Sequence, residues 1–111
     1  MLFRSYLMKH YSGAPSYALR IETEGKVLAY SGDTEWVDEL IPAGRGADLF
    51  ICEAYFFDKV MKYHIDYKTL ASHLPEIAPK RTIVTHMSAE LLGRQSEIAL
   101  EAASDGLLVE F

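Results

Sequence analysis

The sequence is short of several things, and each shortage excludes something. It has one cysteine, Cys52, among 111 residues. No internal disulfide can form, and a lone thiol points to a reducing, cytoplasmic setting. It has no apolar run approaching the roughly 20 residues that span a bilayer as a helix, so no membrane association is expected. The opening Met1–Lys9 is mildly basic and apolar but lacks both a long apolar stretch and a small-residue cleavage site, so it does not read as a secretory signal. Positive charge is scarce: 11 Lys and Arg stand against 16 Asp and Glu, a net charge of −5. That balance argues against a whole-domain clamp on nucleic acid, while leaving room for a local basic groove. No internal repeat, low-complexity stretch or linker is present.

Apolar content, by contrast, is ample. Half of the residues are hydrophobic and 12% are aromatic, enough to bury a core, which excludes intrinsic disorder. The length gives one domain over residues 1–111. Gly13 and Pro15 mark a turn. Tyr17–Glu22 and Lys26–Tyr30, separated by Glu24-Gly25, predict a β-hairpin. Glu35–Ile41 predicts a short helix ending near Pro42. Ala47–Cys52 is a nearly continuous apolar run, expected of a strand buried on both faces. Leu70, Leu74 and Ile77 space a helix over Tyr67–Ile77. Arg81–Thr85 predicts a strand, Ser88–Ala103 a helix broken near Gly93, and Leu107–Phe111 a final strand. Strands alternating with helices predict an α/β (α+β) fold: a mixed sheet with flanking helices, its later strands parallel.

In such sheets ligands gather beyond the carboxyl ends of the strands. Asp33 follows Lys26–Tyr30, Glu53 follows Ala47–Cys52, and His86 follows Arg81–Thr85. His64 and Asp66 precede a helix, and His10 precedes the hairpin. Imidazole and carboxylate together suit zinc or a similar divalent ion. Taken singly, each has a structural reading. Asp33 could cap a helix, His86 could be a core histidine, and His10 and His64 could be surface histidines. Glu53 could hold a backbone amide, His73 reads as structural or solvent-facing, and Cys52 as a small buried hydrophobe. Tyr55, Phe56 and Phe57 are either core or the rim of an apolar pocket.

Several segments, taken in order, resemble a known family. These are Lys9-His10, Pro15–Glu22, Gly25-Lys26-Val27, Tyr30-Ser31-Gly32-Asp33-Thr34, Ala47–Ala54, Tyr63–Tyr67 and Val84-Thr85-His86-Met87-Ser88. Together they resemble the later half of a metallo-β-lactamase-fold hydrolase, closest to the ribonuclease Z-like branch. The resemblance covers nearly the whole chain from about residue 9. It implies the C-terminal half of a four-layer αββα sandwich. It implies metal ligation by His10, Asp33 and His86, with Asp33 bridging two metals, zinc or another divalent ion such as manganese. It implies catalytic roles for Asp33 and for His64, the latter at the transition state or leaving group, and hydrolysis of a phosphodiester or another ester through a metal-bound hydroxide. Lactones and thioesters fall in the same range.

Two departures stand out. Ile65-Asp66-Tyr67 follows His64 where that branch has Ser-Thr, which disfavours a nucleic acid and leaves a small or nucleotide-like substrate. No His-x-His-x-Asp-His segment occurs in the chain, so an incomplete metal site is expected. The missing half would come from another chain or have been lost by truncation. Homo-oligomerisation through the sheet face left bare is expected. The alternative reading is a non-catalytic fragment whose fold survives for assembly.

Overall fold

A computed structural model describes all residues, Met1–Phe111. Six strands form one sheet in the order β1 (Leu2–Leu7), β2 (Tyr17–Thr23), β3 (Lys26–Tyr30), β4 (Leu49–Glu53), β5 (Thr82–Thr85) and β6 (Glu101–Ala102). β1 pairs with β2, and β2 with β3, antiparallel; β3 through β6 run parallel. The expected mixed sheet is therefore present. The β2–β3 hairpin closes through Glu24 and Gly25, both at positive φ, the backbone that matches the right-handed twist of paired strands. Three helices complete the fold: α1 (Leu40–Gly44), α2 (Tyr67–Ile77) and α3 (Ala89–Leu92).

One face of the sheet carries the core. Ala18, Ala29, Phe50, Cys52 and Val84 meet Leu40, Ala43, Leu70, Ile77 and Leu91 from the helices, all fully or almost fully buried. Arg20 reaches out from β2 on this side, and its guanidinium donates to the carbonyls of Ala43 and Arg45 at 3.1 and 2.9 Å. It thereby satisfies two carbonyls at the end of α1. Asp66 caps α2, accepting from the Thr69 amide at 3.0 Å and the Thr69 hydroxyl at 2.6 Å. Ala78, left-handed, ends it with an N–H bond to the Leu74 carbonyl. The opposite face is only partly covered: Leu49 and Ile83 on it are buried, while the stretch toward β2 is open. Leu19, Ile21, Leu28, Tyr30, Ile51 and Thr85 line an apolar groove of about 390 Å³ across β2–β5.

Three expected elements are corrected, and one strand is added. Glu35–Ile41 is not a helix; α1 starts at Leu40 and takes Pro42 into its first turn, where a missing N–H costs nothing. The preceding residues are held in tertiary bonds instead: the Glu35 amide donates to the Lys9 carbonyl at 3.0 Å and the Thr34 hydroxyl to the Glu35 carbonyl at 2.6 Å. Asp33 accordingly caps no helix, since the N-cap of α1 is Glu39. Ser88–Ala103 shortens to α3, a 3₁₀ turn at Gln95–Glu97, and β6. β6 takes the free edge of β5, fastened by a paired Arg81–Glu101 contact at 2.6 and 2.7 Å. With that edge filled, Leu107–Phe111 does not pair with β5 and is irregular. Finally, Leu2–Leu7 is an unforeseen strand; its side chains are largely exposed, so no burial pattern announced it.

Two outcomes follow from the packing. A Cβ on Gly44 would sit 2.8 Å from Ile77 Cγ2 and 3.3 Å from the Phe50 ring. Gly44→Ala is expected to lower unfolding free energy by about 1–3 kcal/mol through overpacking, measured by urea denaturation; an unchanged midpoint would contradict the contact. Burial pushes the Cys52 thiol up to about 12, with the Glu53 charge adding to it against a hydrogen bond from Ser31. Ellman's reagent at pH 8 is expected to leave native Cys52 unmodified and to titrate one thiol per chain in denaturant. Rapid native labelling would show the strand to be open.

Candidate active site

β3, β4 and β5 end side by side, and the site lies just past their carboxyl ends. Register does much of the placing: Glu53 pairs with Thr85 across β4 and β5, so His86 emerges one residue beyond the strand that neighbours Glu53. His86 is left-handed, at φ +57°, an uncommon backbone for a non-glycine residue and one that gathers at functional sites. The Ser88 amide, bonded to the Tyr55 carbonyl at 2.9 Å, holds the turn that carries it. Gly32 shapes the loop after β3. Its φ is +60°, and a Cβ there would lie 3.1 Å from the Tyr17 carbonyl oxygen, so the loop that presents Asp33 lies close against β2.

Glu53 is the centre of this arrangement. It is 1% exposed. One carboxylate oxygen accepts the Thr34 amide at 2.5 Å, and the other takes His64 Nδ1 at 3.0 Å. His86 Nδ1 stands 3.5 Å from the same second oxygen, while His86 Nε2 faces Asp33 Oδ2 at 3.7 Å. The Glu53 amide donates to the Ser31 hydroxyl at 3.0 Å. Burial pushes the Glu53 carboxyl up to about 7, assisted by the Asp33 charge and opposed by the Thr34 amide and by His86. Burial also lowers the pKa of His64, with His10 adding to the effect, which favours a neutral imidazole. Once ionised, the Glu53 carboxylate can only accept, so a neutral His64 bonded to it then carries its proton on Nδ1 and leaves Nε2 as an open base.

Aromatic rings fix the spacing. The His64 and His86 rings stack with centroids 5.2 Å apart. Tyr55 lies beside both, at 4.9 Å from His64 and 5.4 Å from His86. His10 meets His64 edge-on at 5.1 Å, and its Nδ1 sits 3.1 Å from the Tyr63 carbonyl.

His10, Asp33, His64 and His86 are thus brought to one edge of the sheet. Asp66 stays apart as the cap of α2, both of its oxygens occupied by Thr69. His73 also stays apart, stacked on Trp36 at 3.6 Å and bonded to Glu76 at 3.1 Å. Sequence reasoning saw Glu53 as a carboxylate holding a backbone amide, and it does hold one. It missed that the same carboxylate organises two histidines. The one available signal was an acid immediately ending an otherwise apolar strand. Glu53, His64 and His86 each offer a ligand atom, all within 4.8 Å of one another. Two imidazole nitrogens and a carboxylate oxygen are a donor set that zinc accepts.

Comparison with known proteins bears on the family and the fold. The family model described as beta-lactamase superfamily domain matches residues 4–87. An uncharacterized protein of Mycobacterium leprae is 32% identical over 95 residues, covering 70% of this chain and 34% of its own length. A ribonuclease Z of an Exiguobacterium species is 34% identical over 86 residues, covering 73% of this chain and 29% of its own. Among solved structures, the metallo-beta-lactamase fold protein YhfI of Bacillus subtilis superposes with a TM-score of 0.79 at 21% identity, over 97% of this chain and 49% of that one. The chain therefore spans about a third of the length of these curated relatives and half of that structural neighbour. On the family match over residues 4–87 and the shared fold, the chain belongs to the beta-lactamase superfamily, with a metallo-β-lactamase fold of the ribonuclease Z-like kind.

Proposed function

We propose that this chain supplies one half of the active site of a metal-dependent hydrolase acting on a phosphodiester or another ester. The observation that carries the reading is the convergence of Glu53, His64 and His86 within 4.8 Å at the strand ends, beside Asp33 and His10. His10, Asp33 and His86 would hold the divalent ions, zinc or manganese, with Asp33 shared between them. When bound, such ions supply an acidified water and an electrophile for the ester oxygen. His64 would handle the proton of the leaving oxygen at its outward Nε2. Glu53 orients that imidazole through Nδ1 and stabilises the cation formed when Nε2 takes a proton. Asp33, facing His86 Nε2 across 3.7 Å, would hold the ions in register with the substrate.

A small or nucleotide-like substrate suits the site better than a long nucleic acid, because the chain carries a net charge of −5. Ribonuclease Z relatives point to phosphodiester chemistry. The single buried thiol suits a reducing, cytoplasmic setting. No helix is long and apolar enough to cross a membrane.

The ligand count limits what these residues do alone. His10 and Asp33 would serve one ion, and Asp33 and His86 the other. Two protein ligands per ion fall short of the three that a catalytic zinc ordinarily needs. The apolar groove over Leu19, Leu28 and Ile51 is open on the same side of the sheet as Glu53. A second sheet layer bearing His-x-His-x-Asp-His, from the rest of a longer protein or from another chain, would cover that groove and complete both ligand shells. A second copy would cover it by self-association. The open groove also favours the other reading, a non-catalytic assembly unit.

Three measurements decide between them. Dialysis against zinc or manganese, followed by metal analysis and a bis(p-nitrophenyl) phosphate assay, is expected to give substoichiometric metal and little turnover for the chain alone. Tight stoichiometric zinc with robust turnover would refute the half-site. Fusing or adding a His-x-His-x-Asp-His layer is expected to raise both, and Asp33→Ala to cut the restored rate by on the order of 100-fold or more; no gain on addition leaves the assembly reading. In sedimentation, the chain is expected to self-associate at high concentration and Leu28→Glu to return it to monomer. A wild-type monomer at high concentration would contradict the covered face.

A further inference from the structure

His10 reaches the site from a long, largely exposed segment ahead of β2, with no helix or strand of its own to orient its ring. Its Nδ1 lies 3.1 Å from the backbone carbonyl of Tyr63. A carbonyl only accepts, so this bond requires the proton on His10 Nδ1 and leaves Nε2 as the free lone pair. Everything then depends on where the Tyr63 carbonyl points. Tyr63 is left-handed, at φ +72°, a costly backbone for a bulky residue that persists only when its surroundings enforce it. It lies in the tight turn that the Met61–His64 bridge closes.

One side chain enforces it. The Tyr63 amide donates to Glu35 Oε2 at 2.9 Å. Glu35 is anchored in turn on the segment that carries His10. Its other oxygen pairs with Lys9 Nζ at 3.1 Å, and its own amide donates to the Lys9 carbonyl at 3.0 Å. The loop is closed: the residue before His10 fixes Glu35, Glu35 fixes the Tyr63 amide, and the Tyr63 carbonyl fixes His10. The same peptide leads directly into His64. The Tyr63 amide is also the main reason the Glu35 carboxyl lies below its ordinary range, with Lys9 assisting.

We propose that Glu35 is a positioning residue for His10: by holding the Tyr63 amide it keeps the Tyr63 carbonyl on His10 Nδ1, so that His10 presents Nε2 to the site. The consequence for metal binding rests on His10 being a ligand, as read above. The tautomer itself does not, which lets the two be tested apart.

The test is long-range ¹H–¹⁵N correlation NMR of the imidazole nitrogens in the metal-free chain at pH 8, where neutral rings report their tautomer. In the wild type His10 is expected almost wholly as the Nδ1–H form. Glu35→Ala is expected to release the turn and shift His10 to the Nε2–H form that free histidine favours. Glu35→Gln keeps an acceptor oxygen for the Tyr63 amide and is expected to retain the wild-type tautomer. His73, whose Nδ1 sits on Glu76, is the internal control and is expected to keep its tautomer in both variants; a shift of His73 together with His10 in Glu35→Ala would overturn a specific hold on His10. The proposal is overturned if wild-type His10 is Nε2–H, if Glu35→Ala leaves it unchanged, or if Glu35→Gln is as damaging as Ala. Zinc titration of the same three proteins separates the ligand reading. A tautomer shift in Glu35→Ala with no weakening of whatever zinc binding the wild type shows would remove His10 from the ligands and leave the positioning intact.

Discussion

A carboxylate buried at the end of a parallel strand is the constraint on which the rest of this site depends. Glu53 is 1% exposed, in a place where an ionised group loses most of its hydration. It is tolerated because every neighbour addresses it. The Thr34 amide donates to one oxygen, His64 Nδ1 meets the other, and His86 Nδ1 stands 3.5 Å from that second oxygen. Those partners come from three separate segments: the loop after β3, the turn before α2, and the end of β5. The carboxylate therefore does more than accept hydrogen bonds. It ties three loops that share no secondary structure into one geometry. The Asp33 loop is held through Thr34 and Ser31, and the spacing of His64 and His86 is set by a shared oxygen and by the Tyr55 ring packed beside both.

The same pattern recurs one layer out. Glu35 holds a strained backbone amide as Glu53 holds a relaxed one, and in both cases a histidine next to the bond takes its orientation from it. Left-handed His86 and Tyr63 flank the cluster on either side. Strain of this kind is stable only where surrounding bonds over-determine it, and here the bonds come from acids on β4 and on the segment after β3. The helices enter indirectly. They cover the face with Phe50, Cys52 and Val84, which fixes β4 against β5 and so fixes the Glu53–Thr85 register. The other face is covered at Leu49 and Ile83 but leaves an apolar groove over Leu19, Leu28 and Ile51.

Much of this was legible in the sequence, and the reasons differ by residue. The β2–β3 hairpin was readable because Glu24-Gly25 is a local turn signal. Asp33 was readable because it follows a β-rich run and its Ser31-Gly32 breaker, and His86 because it directly follows another such run. α2 was readable because Leu70, Leu74 and Ile77 repeat at helical spacing. What escaped notice depends on partners distant in sequence. Glu35–Ile41 has a helical pattern, but Lys9 and Thr34 claim its first backbone groups. Leu107–Phe111 looks like a strand, but Glu101–Ala102 already occupies the edge it would need. The organising role of Glu53 requires the β4–β5 register, and the left-handed turn at Tyr63 requires Glu35, 28 residues away along the chain. Neither has a local signature, because tyrosine does not favour that backbone and an acid at a strand end is common.

The central claim is that Glu53 is kept as a buried acid for the site at a cost to the stability of the fold. The most direct measurement is urea denaturation of the metal-free chain and of Glu53→Gln from pH 5 to pH 8. The folded-state pKa of Glu53 is raised to about 7 from an ordinary 4.5. Between those values the folded state holds a proton that the unfolded state releases, so this group's contribution falls as pH rises through the interval and is lost above it. Glutamine keeps the Thr34 bond without the charge. The account predicts that the two proteins are similar near pH 5 and that the variant becomes the more stable by roughly 1–3 kcal/mol at pH 8. A difference that does not change with pH, or a variant less stable at pH 8, would contradict it.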